Sequence, residues 1–186
     1  MLTSGTPVMS PNDPAPEIAE GEGKLAAGDL SGAIDAFQRA VAAVPSSAVA
    51  HSKLGICFVH AHRLDEAASE FSRAIQLDPT YAPAYSNLGN VCRERGQLEQ
   101  AVAHYQKAIS MDPDYWIAHQ NLGIVYKQQG RVGEAVREFK IATRLSLRAP
   151  AASGGAPGPS ASRRMGCLGT GSTVLLLWII LAARRW

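Results

Sequence analysis

The stretch APAYSNLGNVCRERGQLEQAVAHYQKAISMDPDY, residues 82–115, decides the fold. Tyr85, Leu88, Gly89 and Cys92 recur at helical spacing, and Gly96 then supplies a turn where a side chain would hinder the chain reversal. Leu98, Ala101, Val102, Tyr105, Ala108 and Ile109 form a second stripe of the same period. Asp112-Pro113 ends it, because proline lacks the amide donor and clashes with the preceding turn. Two helices joined this tightly pack antiparallel. The small residues at 89, 101 and 108 let their axes approach, while Tyr105 fills the space between neighbouring units.

The same pattern runs outward in both directions. Gly21, Gly55, Gly89 and Gly123 recur every 34 residues, as do Ala33, Ala67, Ala101 and Ala135, and Ala40, Ala74, Ala108 and Ala142. An aromatic column follows, with Phe37, Phe71, Tyr105 and Phe139, and Pro45, Pro79 and Pro113 close the first three units. Leu147 stands where a fourth proline would be, and Glu20 and His62 interrupt the leucine column of Leu54, Leu88 and Leu122 and the glycine column of Gly28, Gly96 and Gly130. A single helical hairpin cannot bury both of its faces, but stacked hairpins share a continuous core.

These columns resemble the tetratricopeptide repeat over residues 14–149, in four units: 14–47, 48–81, 82–115 and 116–149. The resemblance implies an all-α fold, a tetratricopeptide-type α-solenoid of helix-turn-helix repeats. The first unit departs most, with Glu17, Glu20 and Lys24 where large apolar residues usually sit. Gly21 and Gly23 weaken its first helix by roughly 1 kcal/mol each relative to alanine. It reads as a polar end cap or as a helix that frays.

Outside the array the composition changes. Pro7, Pro11, Pro14 and Pro16, with few large apolar residues nearby, make residues 1–13 an expected disordered arm, which cannot offset the entropy of ordering. Residues 150–164, rich in Pro, Gly, Ser and Ala, read as a linker. Residues 165–183 then carry no charge and are bounded by Arg163-Arg164 and Arg184-Arg185, ahead of a short basic tail at 184–186. A helix of that length would reach about 28 Å against a hydrocarbon core of about 30 Å, so a C-terminal transmembrane helix is expected. Only Thr173 to Ala183 is densely apolar, and the rival reading is a hydrophobic helix that caps the solenoid of a soluble protein. The long linker favours the anchor, since a cap normally follows a short turn. No apolar leader precedes the array, so the repeats are expected to face the cytoplasm.

Charge and chemistry narrow the function. The net charge of +2 is spread along the chain and gives no reason to expect nucleic acid. Cys57, Cys92 and Cys167 are odd in number and fit a reducing compartment. Cys57, His60 and His62 lie close together but lack a second pair of ligands, so Cys57 reads as a small buried residue and His62 as a turn residue rather than as a metal site. No phosphate loop, Ser-His-Asp set or carboxylate pair stands out, and neither enzymatic activity, nor a cofactor, nor a small-molecule substrate is expected.

What the resemblance implies instead is a groove for a protein or extended peptide, lined by the first helix of each unit. The candidates are Val49, Ser52, Lys53 and Ile56, then Ser86, Asn87, Asn90 and Arg93, and then Ile117, Gln120, Asn121, Ile124 and Lys127. Asn87 and Asn121 share a column, and an amide side chain can bond both the donor and the acceptor of an extended backbone. The lysines and arginine with which chaperone-binding members of the family clamp a terminal carboxylate have no counterparts in the expected columns. Units three and four are also similar to the substrate-reading array of O-linked N-acetylglucosamine transferases, through Tyr85-Ser86-Asn87-Leu88-Gly89-Asn90 and Arg95-Gly96-Gln97-Leu98, without the catalytic domain. If the aromatic column is buried, Phe71→Ala costs roughly 3–5 kcal/mol in urea unfolding; a loss under about 1 kcal/mol would place the ring at the surface.

Overall fold

The computed structural model describes residues 15–148, and among them the chain forms eight helices and no strand. They are α1 (Ala15–Ala26), α2 (Leu30–Ala43), α3 (Ala48–His60), α4 (Leu64–Leu77), α5 (Ala82–Glu94), α6 (Leu98–Met111), α7 (Trp116–Gln128) and α8 (Val132–Arg148). The expected N-terminal arm, the linker and the hydrophobic segment 165–183 lie outside the described residues. No helix among those described is long and apolar enough to cross a membrane.

Each turn has a local cause. Inside the hairpins, the residue after the helix takes a left-handed conformation at Gly28, Gly96 and Gly130, where φ is 82°, 75° and 75°. The next amide then reaches back to close the helix end, as in Gln97 N–H to Cys92 O at 2.9 Å and Arg131 N–H to Tyr126 O at 2.8 Å. His62 makes the same turn with φ 58°, although it carries a side chain. Between hairpins, Asp78 accepts from the Thr80 amide at 2.9 Å and hydroxyl at 2.7 Å, and Asp112 accepts from the Asp114 amide at 3.0 Å. Ser47 caps α3 and Asp29 caps α2 through their side-chain oxygens.

Packing follows the columns. Successive helices pair as α1 with α2, α3 with α4, α5 with α6 and α7 with α8, and each hairpin meets the next through α2–α3, α4–α5 and α6–α7. The odd-numbered helices also touch one another, α1 with α3, α3 with α5 and α5 with α7, so they share one face. The core is small and regular: Phe37, Phe71 and Tyr105 are fully buried, as are Ala33, Ala67, Ala101, Ala40, Ala74 and Ala108. A Cβ added at Gly55 would lie 2.7 Å from the Phe71 ring, one at Gly89 2.7 Å from Tyr105, and one at Gly123 2.8 Å from Phe139. The aromatic column is therefore seated on the glycine column of its own hairpin. Gly21 receives Phe37 in the same way, which keeps α1 packed despite its polar residues.

A second device ties each inter-hairpin turn to the hairpin after it. His51 is buried, with Nδ1 2.6 Å from a Glu70 oxygen and Nε2 3.2 Å from the Pro45 carbonyl. His119 repeats it with Glu138 at 2.7 Å and the Pro113 carbonyl at 3.3 Å. Between them, Tyr85 sends its hydroxyl to the Pro79 carbonyl at 3.2 Å. Where the third unit has Tyr85, the histidines of the second and fourth thus keep the contact to the proline carbonyl and add a carboxylate partner.

The backbone predicts opposite signs for two glycine exchanges. His62→Gly relieves the left-handed conformation and should stabilise the fold by roughly 0.5–1 kcal/mol. Gly89→Ala drives a methyl group into Tyr105 and should cost about 1–3 kcal/mol, both read from urea denaturation midpoints.

Candidate functional site

The face shared by the odd-numbered helices holds the residues the sequence nominates. A cavity of about 250 Å³ opens there between α3 and α5, lined by Ile56, Val59, His60, Asn87, Asn90 and Arg93, with Phe71 and Glu94 completing it. The structure therefore brings together Ile56, Asn87, Asn90 and Arg93. The additional members Val59, His60 and Glu94 were legible as the next helical turn after Ile56 and Asn90, since positions three and four residues on remain on one face.

Two nominated residues drop out. Ser52 and Ser86 are 2% and 1% exposed, so neither presents its hydroxyl to a ligand. Lys53 is half-committed: its ammonium lies 2.6 Å from a Glu22 oxygen on α1, an ion pair between neighbouring first helices. Ile117, Gln120, Asn121 and Ile124 are partly buried along α7, Lys127 is exposed, and Val49 is exposed at 40%.

The amides are not equivalent. Asn90 Oδ1 accepts from the Tyr105 hydroxyl at 2.7 Å and from Asn121 Nδ2 at 3.1 Å, which links α5, α6 and α7. Burial pushes the Tyr105 phenol well above its ordinary pKa, against an opposing pull from Arg93, so it stays a donor at any physiological pH. Asn87 lies in the same cavity, and among the described residues its amide makes no side-chain hydrogen bond. Arg93 Nε and Ser86 Oγ are buried without a partner among the described residues. The surface thus offers amide donors and acceptors, a guanidinium and an apolar floor, which suits a polypeptide backbone and its side chains.

No group of three potential ligands comes together among the described residues. Burial pushes the Cys57 thiol up to about 11, which keeps it protonated. His60 and His62 are exposed, the second serving as the turn residue.

Comparison with known proteins agrees with this geometry. Three family descriptions match: "Tetratricopeptide repeat" over residues 18–82, "Tetratricopeptide repeat" over 70–103 and "TPR repeat" over 89–130. No curated protein sequence matches the chain. Among solved structures it is similar to MamA, at 30% identity and TM-score 0.62, covering 75% of this chain and 81% of that one. It is similar to an O-GlcNAc transferase of Thermobaculum terrenum at 26% identity and TM-score 0.59, over 64% of this chain but only 23% of the transferase. The first tetratricopeptide domain of Spaghetti (RPAP3), bound to the HSP90 peptide SRMEEVD, shares the fold at 19% identity and TM-score 0.60, covering 67% of this chain and 99% of that one.

Removing the shared donor probes the network. Tyr105→Phe should cost about 1 kcal/mol in thermal or urea unfolding and leave the helical dichroism unchanged; an unchanged midpoint would mean the hydroxyl contributes nothing to holding Asn90.

Proposed function

Because the chain belongs to the tetratricopeptide repeat family, we propose that it is a non-catalytic adaptor whose inner face, lined by α3, α5 and α7, holds a protein partner in extended conformation. One observation carries the reading: Asn87, whose amide makes no side-chain hydrogen bond among the described residues, lines a cavity floored by Ile56 and Val59, while Tyr105 holds Asn90 and Asn90 in turn accepts from Asn121. An amide fixed beside the chain can donate to a backbone carbonyl and accept from a backbone N–H, and the apolar floor at Ile56 and Val59 takes a side chain. That a protein of this fold holds the peptide SRMEEVD supports peptide binding as a use of such a face. The HSP90 peptide itself is not carried over, since the inner face of this chain lacks the expected cluster of lysines.

The reading needs no transferase activity, because the matched part of the transferase is less than a quarter of that protein. It needs no membrane tether either: the anchor expected at residues 165–183 lies outside the described residues, and the alternative, a structural subunit of a larger assembly, would use the convex or end surfaces of the array instead of the inner face.

Asn87 and Lys127 are the side chains to change, because neither is tied into the core. Partners recovered with the full-length chain should fall at least about 10-fold with Asn87→Ala/Lys127→Ala, the size of effect a contact residue gives. The unfolding midpoint should stay at the wild-type value. Undiminished recovery by the double variant would remove the groove from the binding surface.

A further inference from the structure

α8 ends the array with a face that each earlier second helix keeps covered. α2, α4 and α6 each receive the first helix of the next hairpin, and the incoming helix presents an apolar pair three residues apart: Leu54 with Cys57, Leu88 with Val91, Leu122 with Val125. Under that cover Phe37, Phe71 and Tyr105 are 0% exposed. On α8 the aromatic column is less covered: Phe139 is only partly buried, and Val136, whose counterparts Ile34, Ala68 and Val102 are partly buried, is 45% exposed. Leu147, 82% exposed, adds an apolar side chain where the earlier units carry the exposed Pro45, Pro79 and Pro113. Together with Lys140, Arg144 and Arg148 these α8 side chains line an open groove of about 710 Å³.

Charge selects the occupant. The groove is edged by three cations, and both carboxylates of α8 are engaged elsewhere, Glu134 with Arg131 at 2.5 Å and Glu138 with His119 at 2.7 Å. A second α8 laid on the first would therefore oppose like charges. α1 of a second copy is no better, because Glu20 stands where the later first helices carry leucine, and it is held by Lys24 at 2.8 Å and Arg39 at 2.5 Å. Residues 149–186 contain no aspartate or glutamate, and their stretch from Thr173 to Ala183 has no polar stripe to turn outward if it covered this face.

We propose that the outer face of α8 is a docking seat for an amphipathic helix of a partner protein, bearing a leucine followed three residues on by a second apolar residue and edged by aspartate or glutamate. The seat repeats the chemistry of the three internal interfaces, with basic residues added where a solvent-facing edge would meet an acidic flank. It lies on a different helix from the groove residues Asn87 and Lys127, so the two surfaces fail or hold independently.

The probe is a pair of stapled helical peptides sharing one leucine and valine stripe, edged by glutamate in one and by lysine in the other. Each is titrated against the full-length protein while the signals of α8 are followed by NMR. The glutamate peptide should bind and shift Val136, Phe139 and Leu147, and Lys140→Glu/Arg144→Glu should weaken it at least about 10-fold and transfer the preference to the lysine peptide. Asn87→Ala should leave this titration unchanged. Equal binding of the two peptides, or no shift on α8, would overturn the proposal. A concentration-dependent dimer abolished by Val136→Asp would assign the face to a second copy, and hydrogen-exchange protection of residues 173–183 lost in Leu147→Asp would assign it to the chain's own C-terminal segment; either result overturns the proposal as well.

Discussion

The contact between an aromatic ring and a glycine of the partner helix sets every other distance in this protein. With 2.7 Å between a hypothetical Cβ at Gly55 or Gly89 and the ring of Phe71 or Tyr105, the two helices of a hairpin can be this close only because the first lacks a side chain there. Alanines at 67, 74, 101 and 108 keep the remaining surface equally thin. The consequence reaches the groove. The first helices of successive hairpins touch one another, so Ile56, Asn87, Asn90 and Arg93 share one wall.

The inner face divides its polar groups between those bonded into the fold and those without a side-chain partner among the described residues. Tyr105 stands fully buried in the aromatic column, yet its hydroxyl reaches Asn90 from behind the groove and holds it, and Asn90 in turn accepts from Asn121. A phenylalanine at that position, as in the neighbouring hairpins, would fill the same volume and leave the amide unheld. The core thus orders Asn90 and Asn121 in advance, as the proposed groove requires. Asn87, partly buried, and Lys127, exposed, make no side-chain hydrogen bond among the described residues.

The two ends of the array are chemically unlike. α1 replaces the leucine knob with Glu20 and satisfies it with Lys24 and Arg39, so its outer face is finished in water. α8 keeps valine, phenylalanine and leucine on its outer face and adds basic residues around them. Stacked hairpins expose an apolar face wherever stacking stops unless the terminal unit is polar, and only the N-terminal unit is.

How much of this was legible in the sequence depends on whether the deciding interaction is periodic. The 34-residue columns of glycine, alanine and aromatic residues were enough to determine antiparallel helical hairpins and their stacking, because one hairpin's packing rule repeats and small residues permit only close approach. The groove stripe was legible to within one helical turn for the same reason. The tertiary structure decided what periodicity cannot express. Ser52 and Ser86 lie on the stripe but are buried. Lys53 is drawn to Glu22 across 31 residues of sequence. His51 and His119, which stand where the third unit has Tyr85, bridge a proline carbonyl to a carboxylate. Each of these depends on which side chain from another helix arrives at the same point in space, and a linear repeat records the spacing of residues along the chain without recording that encounter.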